Sequence, residues 1–286
     1  MFCSGLVKSA EYEKKIIRRR AHQGEFPYIV CIRSKYYKCG GVLVKLNNAL
    51  TAASCFQLKN ERDRKTLVAI GGTVHLQDRT GQEIVISSFI KHEKFLYIEN
   101  NNIVETHYDI GLATLLYSFE ENPNLQPYGS FPFETAEEMK TYLLDIANQG
   151  RRCVTVGYGF LTKKLAEAPY LHVVEVNILL NDSCNKVENK TDPVICTKAV
   201  RKETNTTGNY ANNGKGNPLI CNGKILGIDR GFSIEEDRVI IIFTPIWPYL
   251  NYFKLPLAIS SGNVSVQSVV LQASLLTLAV IYVVRQ

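Results

Sequence analysis

Residues 212–223 read NNGKGNPLICNG, a polar, glycine-broken loop with Lys215 at its centre that runs straight into the apolar stretch Pro218–Cys221. Glycines flanking a charged residue let the backbone approach a partner closely or take a left-handed bend. A lysine between them suggests a phosphate cradle or a catalytic loop. The phosphate cradle fails on spacing, because the pattern G-x-x-x-x-G-K-[ST] needs a hydroxyl residue after its lysine. Here one residue too many separates Gly208 from Gly214, and Lys215 is followed by Gly216. The loop needs another explanation, and the rest of the chain supplies it.

The chain has 286 residues, 45% hydrophobic and 21% charged, an ordinary globular composition that argues against global disorder. Its length allows one large core or two modest ones. The net charge of +6 is modest, and much of it sits in the local run Lys14, Lys15, Arg18, Arg19 and Arg20. A nucleic-acid interface needs a basic face interleaved with stacking aromatics, which this pattern does not supply. Eight cysteines with no C-x-x-C pair, and five scattered histidines, argue for disulfides over zinc. No metal or cofactor is expected. Sequons at Asn181, Asn189, Asn205 and Asn263 point to the secretory lumen, as disulfides do. The expected location is therefore extracellular or on the outer cell surface.

The ends are less regular. MFCSGLVKSA at the start offers too few apolar residues for the core of a secretory signal, so either a leader is missing from this sequence or export is unconventional. At the other end Leu255 to Val284 carries no charge. This tail, 256–286, is expected to associate with a membrane, as a weak span or as a lipid-anchor signal with Ser260, Ser261 and Gly262 as the attachment site. The alternative is a C-terminal helix packed on the domain.

Between the ends, short runs rich in β-branched and aromatic residues recur: YIVCIRS, GGVLVKL, KTLVAIGGTVHL, QEIVISSFI, IGLATLL, RCVTVGYG, YLHVVEVNIL, PLICNGKILGI and RVIIIFTPI. Separated by Gly, Asn and charged turns, they predict an all-β antiparallel barrel or sandwich. Two segments read as helical, Thr135 to Asn148 and Pro248 to Lys254. The strand signal lapses between Phe119 and Gly150, which marks a connector between two β-rich halves.

Eight fragments fall in an order that resembles the trypsin-like, chymotrypsin-fold serine peptidases: GEFPYIVCIR (24–33), CGGVLVKLNNALTAASCF (39–56), IKHEKF (90–95), HYDIGLATL (107–115), CVTVGYG (153–159), VIC (194–196), GKGNPLICNGKILGI (214–228) and IFTPIWPYL (242–250). The resemblance implies two antiparallel six-stranded β-barrels with a short C-terminal helix. It places a peptidase-like domain at 15–255, with halves at about 15–125 and 150–245, after an N-terminal extension at 1–14. It also implies disulfides Cys39–Cys55, Cys153–Cys221 and Cys184–Cys196, leaving Cys3 and Cys31 unassigned.

Peptide hydrolysis on this fold needs a serine nucleophile, a histidine base and an aspartate that orients the imidazole. The family's TAAHC stands here as TAASC, which puts Ser54 at the base position. Its GDSGGP stands as NGKGNP, which puts Lys215 at the nucleophile position. Asp109 keeps its family identity. Asn213 replaces a glycine of the oxyanion loop, Gly214 stands where the activation aspartate would be, and Asn209 falls at the base of the specificity pocket. Cleavage before Ile16 is thus not expected to order a pocket. The isolated histidines His22, His75, His92, His107 and His172 read as structural or exposed.

These substitutions imply a non-catalytic peptidase homologue, expected to be a monomer that binds another extracellular protein. The competing readings are an active endopeptidase and a membrane-tethered adhesive ectodomain. Lys215 is expected to reach across the space left by the missing imidazole and pair with Asp109, which otherwise carries an unpaired buried charge.

Overall fold

The computed structural model describes residues 18–34, 37–57, 63, 65–100, 103–133, 135–158, 169–179, 192–200, 214–235 and 238–257. The strands are β1 (Arg18–Arg20), β2 (Ile29–Arg33), β3 (Lys38–Lys45), β4 (Asn48–Thr51), β5 (Val68–Gly71), β6 (Gln82–Lys91), β7 (Leu96–Asn100), β8 (Ile103–His107), β9 (Gly111–Leu115), β10 (Arg152–Tyr158), β11 (Leu171–Ile178), β12 (Ile195–Ala199), β13 (Pro218–Cys221), β14 (Lys224–Glu235) and β15 (Arg238–Pro245). The α-helix α1 (Ala136–Asn148) lies between the two halves of the chain.

The apolar runs become barrel walls because alternate residues on each strand face inward. In the first half β2-β3-β4-β9-β6-β5 form a closed barrel. In the second, β10, β13, β14, β15 and β12 follow in order, and the β11–β12 pairing closes the ring, with β1 added outside on β11. Both barrels are antiparallel and six-stranded, as the family resemblance implies. The expected C-terminal helix is a 3₁₀ turn, Trp247–Tyr249, with Pro248 inside it. The chain then continues in turns to Lys254, whose φ is +49°, and that left-handed residue stops helical propagation.

One apolar cluster joins the barrels: Ile32, Leu43 and Leu50 of the first share it with Val156, Tyr158 and Ile228 of the second. The seam is hydrogen-bonded as well as packed. Leu76 N–H donates to Pro169 O at 2.8 Å and Leu171 N–H to Val74 O at 2.8 Å, and the Tyr158 hydroxyl donates to Thr73 O. The site is built on this seam.

The predicted helix is real and its boundary is chemical. Thr135 Oγ1 accepts from Glu138 N–H at 3.1 Å, and Glu138 Oε2 accepts from Thr135 N–H at 3.4 Å, which closes a capping box. Met139, Leu143 and Ile146, on one face, are buried in the second-barrel cluster, so the connector segment serves that barrel's core. Disulfides Cys39–Cys55 and Cys153–Cys221 are formed. Cys196 is also disulfide-bonded, while its expected partner Cys184 lies outside the described residues, as does Cys3. Cys31 is a free, buried thiol.

Replacing Thr135 by Ala removes the cap and is expected to cost about 1 kcal/mol, whereas Ile146→Ala is expected to cost about 2–5 kcal/mol through the cavity it leaves. Equilibrium denaturant unfolding of the two variants measures both, and equal losses would contradict the assignment of α1's buried face.

Candidate functional site

Three segments from both barrels converge at the seam. The turn after β4 carries Ser54 in a short 3₁₀ helix (Ala53–Phe56). The corner between β8 and β9 carries Asp109, and the loop before β13 carries Lys215. Gly216 explains how that loop enters the seam: its φ is +84°, and a Cβ there would fall 2.1 Å from Gly40 O and 2.4 Å from Thr51 Oγ1. Only glycine combines that dihedral with that approach. Gly40 N–H donates to Lys215 O at 2.8 Å and Gly216 N–H to Asp229 O at 2.7 Å, which pins the loop to both barrels.

Asp109 is fully buried. Its Oδ1 accepts from the Ser54 backbone N–H at 2.7 Å, and Thr244 Oγ1 donates to its main-chain oxygen at 3.1 Å. Its Oδ2 takes no hydrogen bond, and neither does the buried Ser54 Oγ. The expected ion pair is therefore absent: the ion pairs of the described residues do not include Lys215 with Asp109. Lys215 Nζ instead lies 5.9 Å from the centroid of the Tyr97 ring, within cation–π range. The cause is the β7–β8 hairpin, which brings an aromatic face to the ammonium.

The site holds more buried charge than the sequence reading placed there. Arg230 Nη1 pairs with Asp192 Oδ2 at 2.7 Å, both side chains 1% exposed. Asp192 also accepts from Tyr108 N–H at 2.7 Å, and its Oδ1 lies 3.2 Å from His107 Nδ1. His107 Nε2 in turn lies 2.9 Å from Glu105. Asp192 thereby ties β14 to the corner that carries Asp109 and holds Tyr108 at φ +50°, a strained value for an aromatic residue. His107 is structural, as expected. His92 is packed among Tyr108, Tyr249 and Tyr252, and burial pushes its imidazole toward the neutral form.

Asp229 is a second buried carboxyl. Burial pushes its pKa well above the usual range, Asp109 adds to the rise, and the Gly231 N–H bond at 2.8 Å and Lys215 oppose it. Next to it Asn217, fully buried, occupies the third glycine position of the GDSGGP pattern. A Cβ on Gly40 or Gly157 would fall 2.0 or 1.9 Å from its Oδ1, so these two glycines make room for the amide. Neither polar atom of that amide is hydrogen-bonded, at a cost of about 1–3 kcal/mol per group.

Sequence reasoning missed Arg230, Asp192, Asp229, Asn217 and Tyr97. The available signal was ILGIDRGF, where two charged residues interrupt an otherwise apolar strand. Gly214 is buried and its oxygen accepts from Asn217 N–H at 3.0 Å. Asn209, Asn213 and the sequons at Asn181, Asn189, Asn205 and Asn263 lie outside the described residues.

The fold and the seam geometry define a chymotrypsin-type double barrel, and comparison with known proteins agrees. The trypsin family model matches residues 16–253: the chain belongs to the trypsin family. Among its relatives, kallikrein 1-related peptidase b1 of Mus musculus is 27% identical over 81% of this chain and 84% of its own. Snake venom serine protease 2B of Craspedocephalus gramineus is 26% identical over 80% of each chain. Vaa serine proteinase homolog 1 of Vipera ammodytes ammodytes is 24% identical over 84% of this chain and 85% of its own. A solved structure of neuropsin, a serine protease expressed in the limbic system of mouse brain, matches with a TM-score of 0.61 at 22% identity, covering 83% of this chain and 97% of that one. That likeness concerns the fold.

Two measurements probe the buried charges. Arg230→Ala leaves Asp192 without its guanidinium and is expected to cost about 3–5 kcal/mol. Arg152→Ala, which breaks an exposed pair with Glu175, should cost under about 1 kcal/mol; denaturant midpoints compare them. For Asp229 a raised folded-state pKa means that its contribution to stability is fullest below the unfolded value, about 3.9, and is lost as pH rises toward the folded value. Asp229→Asn keeps an acceptor for Gly231 N–H, so its melting temperature should match that of the parent near pH 4 and exceed it at neutral pH. A constant difference across that range would contradict the assignment.

Proposed function

We propose that this member of the trypsin family does not hydrolyse peptides and acts outside the cell as a protein-binding or regulatory module. The observation that carries the reading is at Ser54. Its hydroxyl is buried against Asp109 yet takes no hydrogen bond, so no base is placed to remove its proton. Nucleophilic catalysis by a hydroxyl requires that contact. Lys215 cannot supply it from beside Tyr97, and it carries no hydroxyl or thiol of its own. The histidine nearest Asp109 in sequence, His107, is engaged with Asp192 and Glu105.

The rest of the reading follows from features that outlast catalysis. Disulfides fit an oxidising compartment, and the sequons fit glycosylation there. The uncharged 256–286 tail attaches the 15–255 domain, a monomer, to the outer face of a membrane. Among the described residues no helix is long and apolar enough to cross a membrane; residues 258–286 of the tail lie outside them. Binding of another protein then falls to the surface loops and the disarmed cleft, where a polypeptide can seat without being cut.

The test is turnover of peptide amides and esters by the purified chain, beside its Ser54→Ala and Lys215→Ala variants. Loss of triad members costs on the order of 10⁴ to 10⁶ in rate. All three proteins should therefore be indistinguishable at the uncatalysed background. Turnover by the parent that either substitution abolishes would overturn the proposal.

A further inference from the structure

A groove of about 350 Å³ runs along the outer wall of the first barrel, between β6 and β9 on one side and the segment 252–256 on the other. The strand register supplies its apolar side chains, beside which Asn48 and Thr114 also line it. Ile90 pairs with Leu112, while their neighbours Phe89 and Ala113 form the adjacent pair; alternation then sends Phe89 and Ala113 inward and Ile90 and Leu112 outward. Ile90 is 54% exposed, and Tyr252, across the groove, is 41% exposed. Leu255 and Pro256 complete the wall, and the exposed Lys45 and Lys254 stand at its rim.

Single exposed apolar side chains are ordinary and decide nothing. The position of the chain does decide something. The described residues end at Leu257, immediately after Leu255 and Pro256 of the groove wall, and the sequence from there to Val284 has no charged residue. Whatever the tail enters therefore begins next to this groove.

We infer that this face of the first barrel rests on a lipid bilayer, with Ile90 and Tyr252 in the headgroup region and Lys45 and Lys254 against the lipid phosphates. The inference rests on the membrane attachment proposed for the tail and adds the orientation of the domain upon it. An aromatic side chain with a polar tip suits the boundary between hydrocarbon and water. The lysine stems can lie along apolar surface while their ammonium groups reach the lipid phosphates, and a second weak contact of this kind beside an anchored chain acts at high effective concentration. The competing occupant is the tail itself folded back. A groove of about 350 Å³ has room for only a few of its side chains, which would leave most of that apolar sequence in water.

The experiment uses the full chain with Cys3→Ser, so that a spin label attaches only to an introduced cysteine; Cys31 is buried. Labels are placed by Ile90→Cys, by Tyr252→Cys, and by Gln77→Cys as a control in the exposed turn at the opposite end of β6. Accessibility to a water-soluble relaxation agent is read with and without vesicles of phosphatidylcholine. The labels at positions 90 and 252 should lose accessibility when vesicles are added, and the label at 77 should keep it. If the chain floats with the vesicles but positions 90 and 252 stay accessible, the domain hangs free and the inference fails while the anchor stands. Protection without vesicles would mean that the tail or a second copy fills the groove, and the inference again fails. Absence of flotation would sink the anchor and the inference together. None of these outcomes bears on the turnover test.

Discussion

Asp109 sits at the bottom of the seam between the barrels with no access to water and one side-chain hydrogen bond, the 2.7 Å contact from the Ser54 backbone N–H. A buried carboxyl with a free oxygen is a costly arrangement. Two other contacts hold its segment in place regardless: Thr244 Oγ1 on its main-chain oxygen and Asp192 on the neighbouring Tyr108 N–H. Because the bond to Oδ1 comes from the main chain of residue 54 and not from its side chain, the corner survives whichever residue stands there. That is how the corner between β8 and β9 keeps its shape with a serine at position 54.

The same separation of scaffold from chemistry runs through the rest of the site. Loop 214–217 is fixed by its backbone, through Gly40 N–H, Asp229 O and the left-handed Gly216, and none of these contacts depends on the side chain at 215. Lys215 is therefore free to take the partner that its surroundings offer. The β7–β8 hairpin offers the face of Tyr97. Charge has meanwhile accumulated behind the cleft: the Arg230–Asp192 pair is buried on both sides, and Asp229 is held toward its neutral form by burial. Such groups add little net stability compared with apolar residues of similar size, but they make the geometry sensitive to loss of any one partner.

Much of this was legible in the sequence, for reasons that can be named. β2, β3, β6, β9, β10, β11 and β15 carry uninterrupted apolar or alternating runs, and an antiparallel barrel or sandwich reads directly from them; the choice of two six-stranded barrels came from the family resemblance. β1 is three arginines and exists because β11 offers an edge. β7 and β8 are diluted by Glu99, Asn100 and Glu105, and β12 by Thr197 and Lys198, so periodicity could not find them. At the site, Ser54, Asp109 and Lys215 were readable as candidates from colinear fragments. The direction of Lys215 was not, since it depends on Tyr97, more than a hundred residues earlier in the chain. The Arg230–Asp192 pair, 38 residues apart, was invisible for the same reason: nothing local to either residue names the other.

The central claim is that no activated hydroxyl or thiol faces the ancestral cleft. The most direct measurement is reaction of the purified, disulfide-intact chain with a serine-directed fluorophosphonate, followed by intact-mass determination. The account predicts an unmodified mass under conditions that label an active relative stoichiometrically. A single adduct located at Ser54 would contradict it.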